Sequence, residues 1–202
     1  MQDIEPSALA DQPHTGFEGV LPRDSTAVYR ELVAGRVILR DMFNPHLGAL
    51  EDNRLYNVLY NHLSHFRKFY EHLGFELMFN EQGAFFYLRE NTDDETEEHD
   101  ENAFRVQVIL LIIGRYFARS GRDLEFLGRA DAGLKEDDII AIGADDEYQD
   151  MLRAARLEKG VQGAIDYLLS RHFLHKSGAS RYFLSSAGMH YLGELVREYE
   201  GG

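Results

Sequence analysis

The clearest periodic signal lies between Asn53 and Gly74, NRLYNVLYNHLSHFRKFYEHLG. Leu55, Leu59, Leu63, Phe66, Tyr70 and Leu73 recur at three- and four-residue steps, and Val58 and Phe69 widen the stripe. That spacing predicts one long amphipathic helix opened by Asn53, with Gly74 at the position that ends it. The pattern then switches period. Phe75–Phe79 alternates apolar and polar positions, Asn80–Gly83 reads as a turn, and Ala84–Arg89 (AFFYLR) reads as the returning strand. Upstream, Asp24 or Ser25 can cap a helix running to about Ala34 and stopped by Gly35, followed by the short β-prone run Val37–Leu39.

The second half repeats this plan. Ala103–Arg119 is helical and too apolar for a single buried stripe, and Ser120–Gly133, with three glycines, is irregular. Leu134–Ile142 reads as a short helix, and Asp146 with Gln149 resembles a capping box for the next one. Tyr148–His172 is helical with an interruption expected near Gly160 and Gly163. Phe173–His175, the turn Lys176–Ser180 and Arg181–Leu184 form a second hairpin, and Ser185 caps a last helix to about Tyr199. Helix followed directly by hairpin, twice over, predicts an α+β, mostly helical chain of two tandem winged-helix domains.

Charge divides the chain. Of its net −14 over 202 residues, half comes from one block, Asn91–Asn102 (NTDDETEEHDEN), with seven acids and no Lys or Arg. Residues 1–90 carry 8 basic and 13 acidic groups, net −5; residues 103–202 carry 13 and 15, net −2. A self-repelling block of this kind reads as a solvated linker. The expected organisation is an arm over 1–22, a first winged-helix domain over 23–90, the acidic linker 91–102, and a second domain over 103–202.

Composition narrows the chemistry. The absence of cysteine removes disulfides, thiolate nucleophiles and cysteine-based metal sites. The longest apolar run, Val108–Ile113, is six residues, far from the roughly 20 of a membrane span. No basic-then-apolar leader opens the sequence, and a cytoplasmic protein is expected. His62 and His65 lie at i, i+3 but lack a third ligand in sequence. Asp137, Asp138, Asp145 and Asp146 miss the calcium-loop spacing and read as helix caps. Ser185–Gly188 lacks the strand–GxSxG–helix setting of a nucleophile elbow, and no glycine pattern fits a phosphate loop. The expectation is no enzyme, with no catalytic residue, no metal and no cofactor.

Nucleic acid has local support only. Lys159, Arg171, Lys176 and Arg181 make the region around the second hairpin locally basic, and they are the candidate DNA contacts. Arg105, Arg115, Arg119, Arg122 and Arg129 form another enrichment, opposed by Asp123 and Glu125. A few phosphate contacts give weak, salt-sensitive binding. A winged-helix transcription regulator is the alternative reading. A different signal comes from AFFYLR and Val106–Phe117, which are apolar on more than one face. Such segments need a second cover: the other domain, a second copy or a partner chain.

NRLYNVLYNHLSHFRKFYEHLGFELMFNEQGAFFYLR resembles the signature of the MukE/MksE family, with a hairpin strand of the form G-x-F-F-Y-L-R at Gly83–Arg89. YRELVAGRVILRD, from Tyr29 to Asp41, is closer to the MksE group, and the order downstream through Ala164–Leu184 agrees. The resemblance implies a non-enzymatic, kleisin-interacting tandem winged-helix subunit of a bacterial condensin-like complex. Such a protein dimerises, binds a MukF- or MksF-like kleisin, and through it joins a MukB- or MksB-like SMC ATPase that acts in chromosome organisation and segregation or in plasmid defence. DNA would be touched weakly or only within the complex, and no membrane is involved. The candidate kleisin or dimer surface is then the two-faced apolar set Phe85, Tyr87, Val108, Ile112 and Tyr116.

Overall fold

The structure, a computed structural model, describes residues 19–90 and 101–200. The arm over residues 1–18 and most of the acidic stretch, 91–100, lie outside the described residues. The chain is α+β, with eight α-helices and small antiparallel sheets among those residues.

Helix α1 is Pro22–Val33. Its N-cap is Leu21, with Pro22 in the first turn, where a missing N–H costs nothing. Neither Asp24 nor Ser25 caps it, contrary to expectation. Asp24 sits inside the first turn, buried, with Oδ1 2.6 Å from Arg54 Nη1. Strand β1 (Ile38–Leu39) follows, then a hairpin that the sequence pattern does not predict, β2 (Asp41–Asn44) with β3 (Ala49–Asp52). Asn44 builds its turn: its Oδ1 accepts from His46 N at 2.9 Å, and Gly48 takes φ +65°.

The long helix expected over 53–74 is two helices, α2 (Arg54–Asn61) and α3 (Leu63–Glu71). His62, at φ −124° and ψ 27°, breaks the helical path between them. The packing gives the reason. α2 buries Tyr56 and Leu59 and lies near α1 and β1, whereas α3 buries Phe66 and Tyr70 and lies along the next strand, β4 (Phe75–Asn80). One straight helix cannot aim its stripe at both. Asn53 caps α2 as expected, Oδ1 accepting from Leu55 N at 3.0 Å, while its Nδ2 donates to Leu39 O at 2.9 Å. Strand β5 (Phe85–Glu90) closes the predicted hairpin, and the sheet order is β1-β5-β4.

In the second half, α4 (Glu101–Arg119) starts within the acidic stretch and takes in its last two residues, Glu101 and Asn102. A 3-10 turn, Leu124–Gly128, follows. Leu134–Lys135 is strand β6 rather than the start of a helix; α5 is Glu136–Gly143. Helix α6 (Asp146–Ala154) is capped by Asp145, whose Oδ1 accepts from Glu147 N at 2.9 Å, so the cap falls one residue before the expected Asp146 and, with Tyr148 third in the helix, is not a capping box. The next break falls at 155–159, where Arg156 takes φ +57°, and α7 runs from Gly160 to Ser170 with Gly163 inside it. Strands β7 (Leu174–Ser177) and β8 (Arg181–Leu184) form the second hairpin, in a sheet of order β6-β8-β7. Ser185 then caps α8 (Ser186–Glu200), its Oγ accepting from Gly188 N at 3.2 Å.

Two apolar cores result. One lies wholly in the first half, around Val28, Leu32, Ile38, Tyr56, Leu59, Phe66, Tyr70, Leu77 and Phe86. The other centres on α4, which is buried nearly all round from Val106 to Phe117, and it also takes in Val37, Leu39 and Phe85 from the first half.

Candidate interaction surface

Alternation along two adjacent strands builds the junction between the halves. On β5, Phe86 enters the first core and Phe85 the second; on β1, Ile38 enters the first, and Val37 and Leu39 the second. Successive side chains of a strand face opposite sides, so this sheet is covered on both. The second side of AFFYLR is covered by the chain itself. Phe85 stands 5.8 Å from the Tyr191 ring and 5.9 Å from His190 on α8. Phe43, on β2, meets Phe183 of β8 edge-on at 5.0 Å, so the unpredicted hairpin bridges the halves.

Polar groups cross the same seam. Val37 N donates to Arg171 O at 3.2 Å, and His172 Nδ1 lies 3.0 Å from Val37 O. Arg36 Nε donates to Ser170 O at 3.1 Å. Asn80 Nδ2 lies 2.8 Å from His190 Nε2, while Asn80 Oδ1 accepts from Gly83 N at 2.7 Å. One residue thus shapes the first hairpin turn and fastens it to α8. His175, almost buried beside Phe43 and Phe183, has its pKa pushed down to about 4 by loss of solvation, with His172 adding a smaller effect.

The candidate partner residues divide by exposure. Phe85 and Ile112, at 0% and 2% exposed, lie inside the second core, because both point into the packing around α4. Neither reaches the surface of this chain. Tyr87, Val108 and Tyr116 are partly buried at the edge of that core. Tyr116 also donates its hydroxyl to Asp138 Oδ1 at 3.1 Å.

The candidate DNA contacts fall into two places. Arg171 is half-buried, with its guanidinium 3.8 Å over the Tyr167 ring and Nη2 3.4 Å from Asn102 Oδ1, so it belongs to the structure of the junction. Lys159 is exposed on an open depression beside Tyr167, where Arg156 and Lys159 are matched by Glu158 and Asp166. Lys176 and Arg181 are both on the second hairpin but on opposite faces of its sheet, since Lys176 pairs with Tyr182 and Arg181 with Ser177; Lys176 Nζ lies 5.5 Å over the Tyr182 ring. Lys135 on β6 is directly opposite Arg181 across the sheet. Sequence reasoning missed Lys135 because its stretch read as helix; the signal was the Gly133 that precedes it. The other arginine enrichment is neutralised by partners: Arg115 and Arg119 meet Glu147, Arg122 meets Asp138, Arg129 meets Asp131, and Arg105 meets Glu101.

Exposed apolar side chains lie at several other places, among them Tyr60 on α2, Phe126 in the 3-10 turn and Ile140 on α5. Leu47 (65% exposed) and Leu50 (56%) project from the β2–β3 hairpin, which has every residue of β3 exposed. Edge strands β4 and β7 each leave one side of the backbone without a neighbouring strand. Among the described residues, no group of three His, Asp or Glu side chains could hold a metal ion, and no helix is long and apolar enough to cross a membrane. His62 joins two helices, and His65 is on α3.

A profile of the MksE family, condensin complex protein MksE, matches residues 23–196. The match spans all three sheets, the seam and nearly all of both cores. The chain belongs to the MksE family. It is therefore a subunit of a condensin-like complex, and its partners are other subunits of that complex. No curated protein matches the chain. Among the described residues, features open to a partner include the Leu47/Leu50 hairpin, the edges of β4 and β7 and the basic second hairpin.

Proposed function

We propose that the chain is the non-enzymatic, kleisin-binding subunit of a bacterial condensin-like SMC complex, acting as a homodimer in chromosome organisation and segregation or plasmid defence. In this reading, residues 23–90 and 103–202 are two winged-helix domains. The ATPase activity belongs to the SMC partner, which the chain reaches through the kleisin, in the cytoplasm at the nucleoid.

The observation that carries the reading is the repeated sheet order. In each half a short strand precedes helices and a closing hairpin, with the β2–β3 hairpin inserted after β1 in the first half, and the sheet order is short strand, second hairpin strand, first hairpin strand. That shared order supports reading each half as a winged-helix unit, and the MksE-family match runs across both halves. A kleisin segment has two means of attachment here. Backbone pairing is offered at the β4 and β7 edges, and apolar anchorage at Leu47 and Leu50. Lys135 and Arg181 on one face of the second hairpin's sheet, with Lys176 on the other face, add a small electrostatic contact to DNA held in the assembly.

Co-purification of the full chain with the kleisin from the same genome tests this. A complex that persists at moderate salt is expected, and it should weaken when Leu47 and Leu50 are both changed to Asp. Separate elution of the two proteins at low salt would sink the reading. Sequence-specific retention of DNA by the chain alone, with a steep salt slope, would favour a transcription regulator instead.

A further inference from the structure

Asn80, His190 and Glu194 meet at one ring nitrogen. His190 Nε2 lies 2.8 Å from Asn80 Nδ2 and 3.2 Å from Glu194 Oε1. The two neighbours ask opposite things of it. The amide of Asn80 is fixed, because its Oδ1 accepts from Gly83 N at 2.7 Å, so the group facing His190 is a donor. Asn80 therefore needs the Nε2 lone pair, whereas the Glu194 carboxylate needs an N–H there. One nitrogen satisfies only one of them.

We propose that these three residues form a proton-operated latch between the two halves. With the ring neutral, its proton sits on Nδ1, Nε2 accepts from Asn80, and the first hairpin turn is fastened to α8. Solvent decides that choice. The Glu194 side chain is 45% exposed and can turn to water, while the Asn80 bond is part-buried and has no such alternative. With the ring charged, Nε2–H donates to Glu194 and meets Asn80 donor against donor, so the turn is released.

The surroundings leave the decision to these groups. Phe85 from β5 and Tyr191 from α8 face the ring with their own rings, 5.9 Å and 5.8 Å away. On the hairpin, Glu76 and Arg89 pair with each other, and Glu81 and Glu90 are exposed. Of these groups, Glu194 is the charge within reach of Nε2.

The other end of the seam is built differently. His172 donates from Nδ1 to Val37 O at 3.0 Å, and its Nε2 lies 3.9 Å from Glu31 Oε2. A proton gained there sets a donor opposite an acceptor and breaks nothing. Arg36, on the other Glu31 oxygen, and His175 of β7 oppose that charge without touching the Val37 bond. Acid therefore loosens the hairpin end of the seam and leaves the His172 end tied.

Amide exchange at Gly83 in the full chain, followed by NMR and divided by its intrinsic rate, tests the latch. Protection should fall about tenfold as the His190 ring charges, the loss expected of one hydrogen bond, while Val37 keeps its own. Glu194→Gln should move that fall to lower pH. Asn80→Asp puts an acceptor where Nδ2 stood, so protection there should hold or rise on charging. Constant Gly83 protection through the titration of the ring overturns the proposal. So does a fall shared equally by Val37, which is general loosening, or one that Asn80→Asp leaves unchanged.

Discussion

Arg122 holds Asp138 with both terminal nitrogens, Nη2 at 2.9 Å from Oδ1 and Nη1 at 3.1 Å from Oδ2. The guanidinium also lies 3.8 Å over the Phe117 ring, and Asp138 Oδ2 accepts from Lys135 N at 2.9 Å. The end of α4, the strand β6 and the first turn of α5 are joined at this one carboxylate. Burial pushes the Asp138 pKa up, but Arg122 and the backbone N–H of Lys135 outweigh it and hold the group below its usual range.

Asp138→Ala should therefore cost about 3 kcal/mol, since it leaves Arg122 half-buried without its partner and removes a capping acceptor. Asp138→Asn, which keeps one acceptor, should cost less. Urea midpoints for the two variants check this. The contribution of Asp138 is intact above the unfolded carboxylate pKa and is lost as pH falls through the lower folded value.

His175 has the opposite chemistry. Its folded pKa, about 4, is below the unfolded value of about 6.5, so the native state holds it neutral. Stability from this group is complete above the unfolded pKa and falls as pH drops from there toward 4, by up to ~3 kcal/mol. Thermal midpoints measured across that window should lose part of their slope in His175→Phe, which keeps the aromatic contacts with Phe43 and Phe183.

Tyr70 is fully buried, and its hydroxyl has no hydrogen-bond partner. Burial drives its pKa upward, with Tyr29 adding to it. Removing that hydroxyl removes an uncompensated desolvation, so Tyr70→Phe should leave stability unchanged or raise it by about 1 kcal/mol. A clear fall in the urea midpoint would contradict this.

Two glycines should respond in opposite directions to alanine. A Cβ at Gly133 would lie 2.1 Å from Tyr182 O, so Gly133→Ala forces β6 off β8 and should cost more than about 3 kcal/mol. Gly193, in the middle of α8, meets nothing within 4 Å, and Gly193→Ala should stabilise by roughly 0.5–1 kcal/mol. Paired thermal scans separate the two effects.

Changing Lys135, Lys176 and Arg181 together to Ala should flatten the salt dependence of DNA retention by the assembled complex. The loss in logarithmic slope should be about 2 to 3 if all three meet phosphates. Changing Arg171 instead should lower stability, because it stacks on Tyr167 at the junction.

The elements with strong periodicity were legible from the sequence. The four hairpin strands β4, β5, β7 and β8, the capping roles of Asn53 and Ser185, and the many-sided burial of α4 all follow from residue spacing. What escaped was decided by tertiary contacts. Leu55 to Leu73 keep one period across a break that exists only because α2 and α3 face different neighbours. Strand β3 is exposed throughout, so Ala49–Asp52 shows no alternation to detect; only Asn44-Pro45 and Gly48 signalled its turn. Two-sided strands were visible at AFFYLR, but no spacing says which body covers the second side. The answer, the chain's own α8, left Phe85 in the interior and moved the open apolar surface to Leu47 and Leu50.

The strand pair β1–β5, with Phe86 and Ile38 on one side and Phe85 and Leu39 on the other, completes the first core and lends residues to the second. A cut anywhere in the acidic stretch would leave the second half without Val37, Leu39 and Phe85 and the first half with those side chains bare, so the fragments should stay associated as a complementing pair. Within a condensin-like complex the same property makes the subunit a coupling: a displacement imposed on one half is delivered to the other.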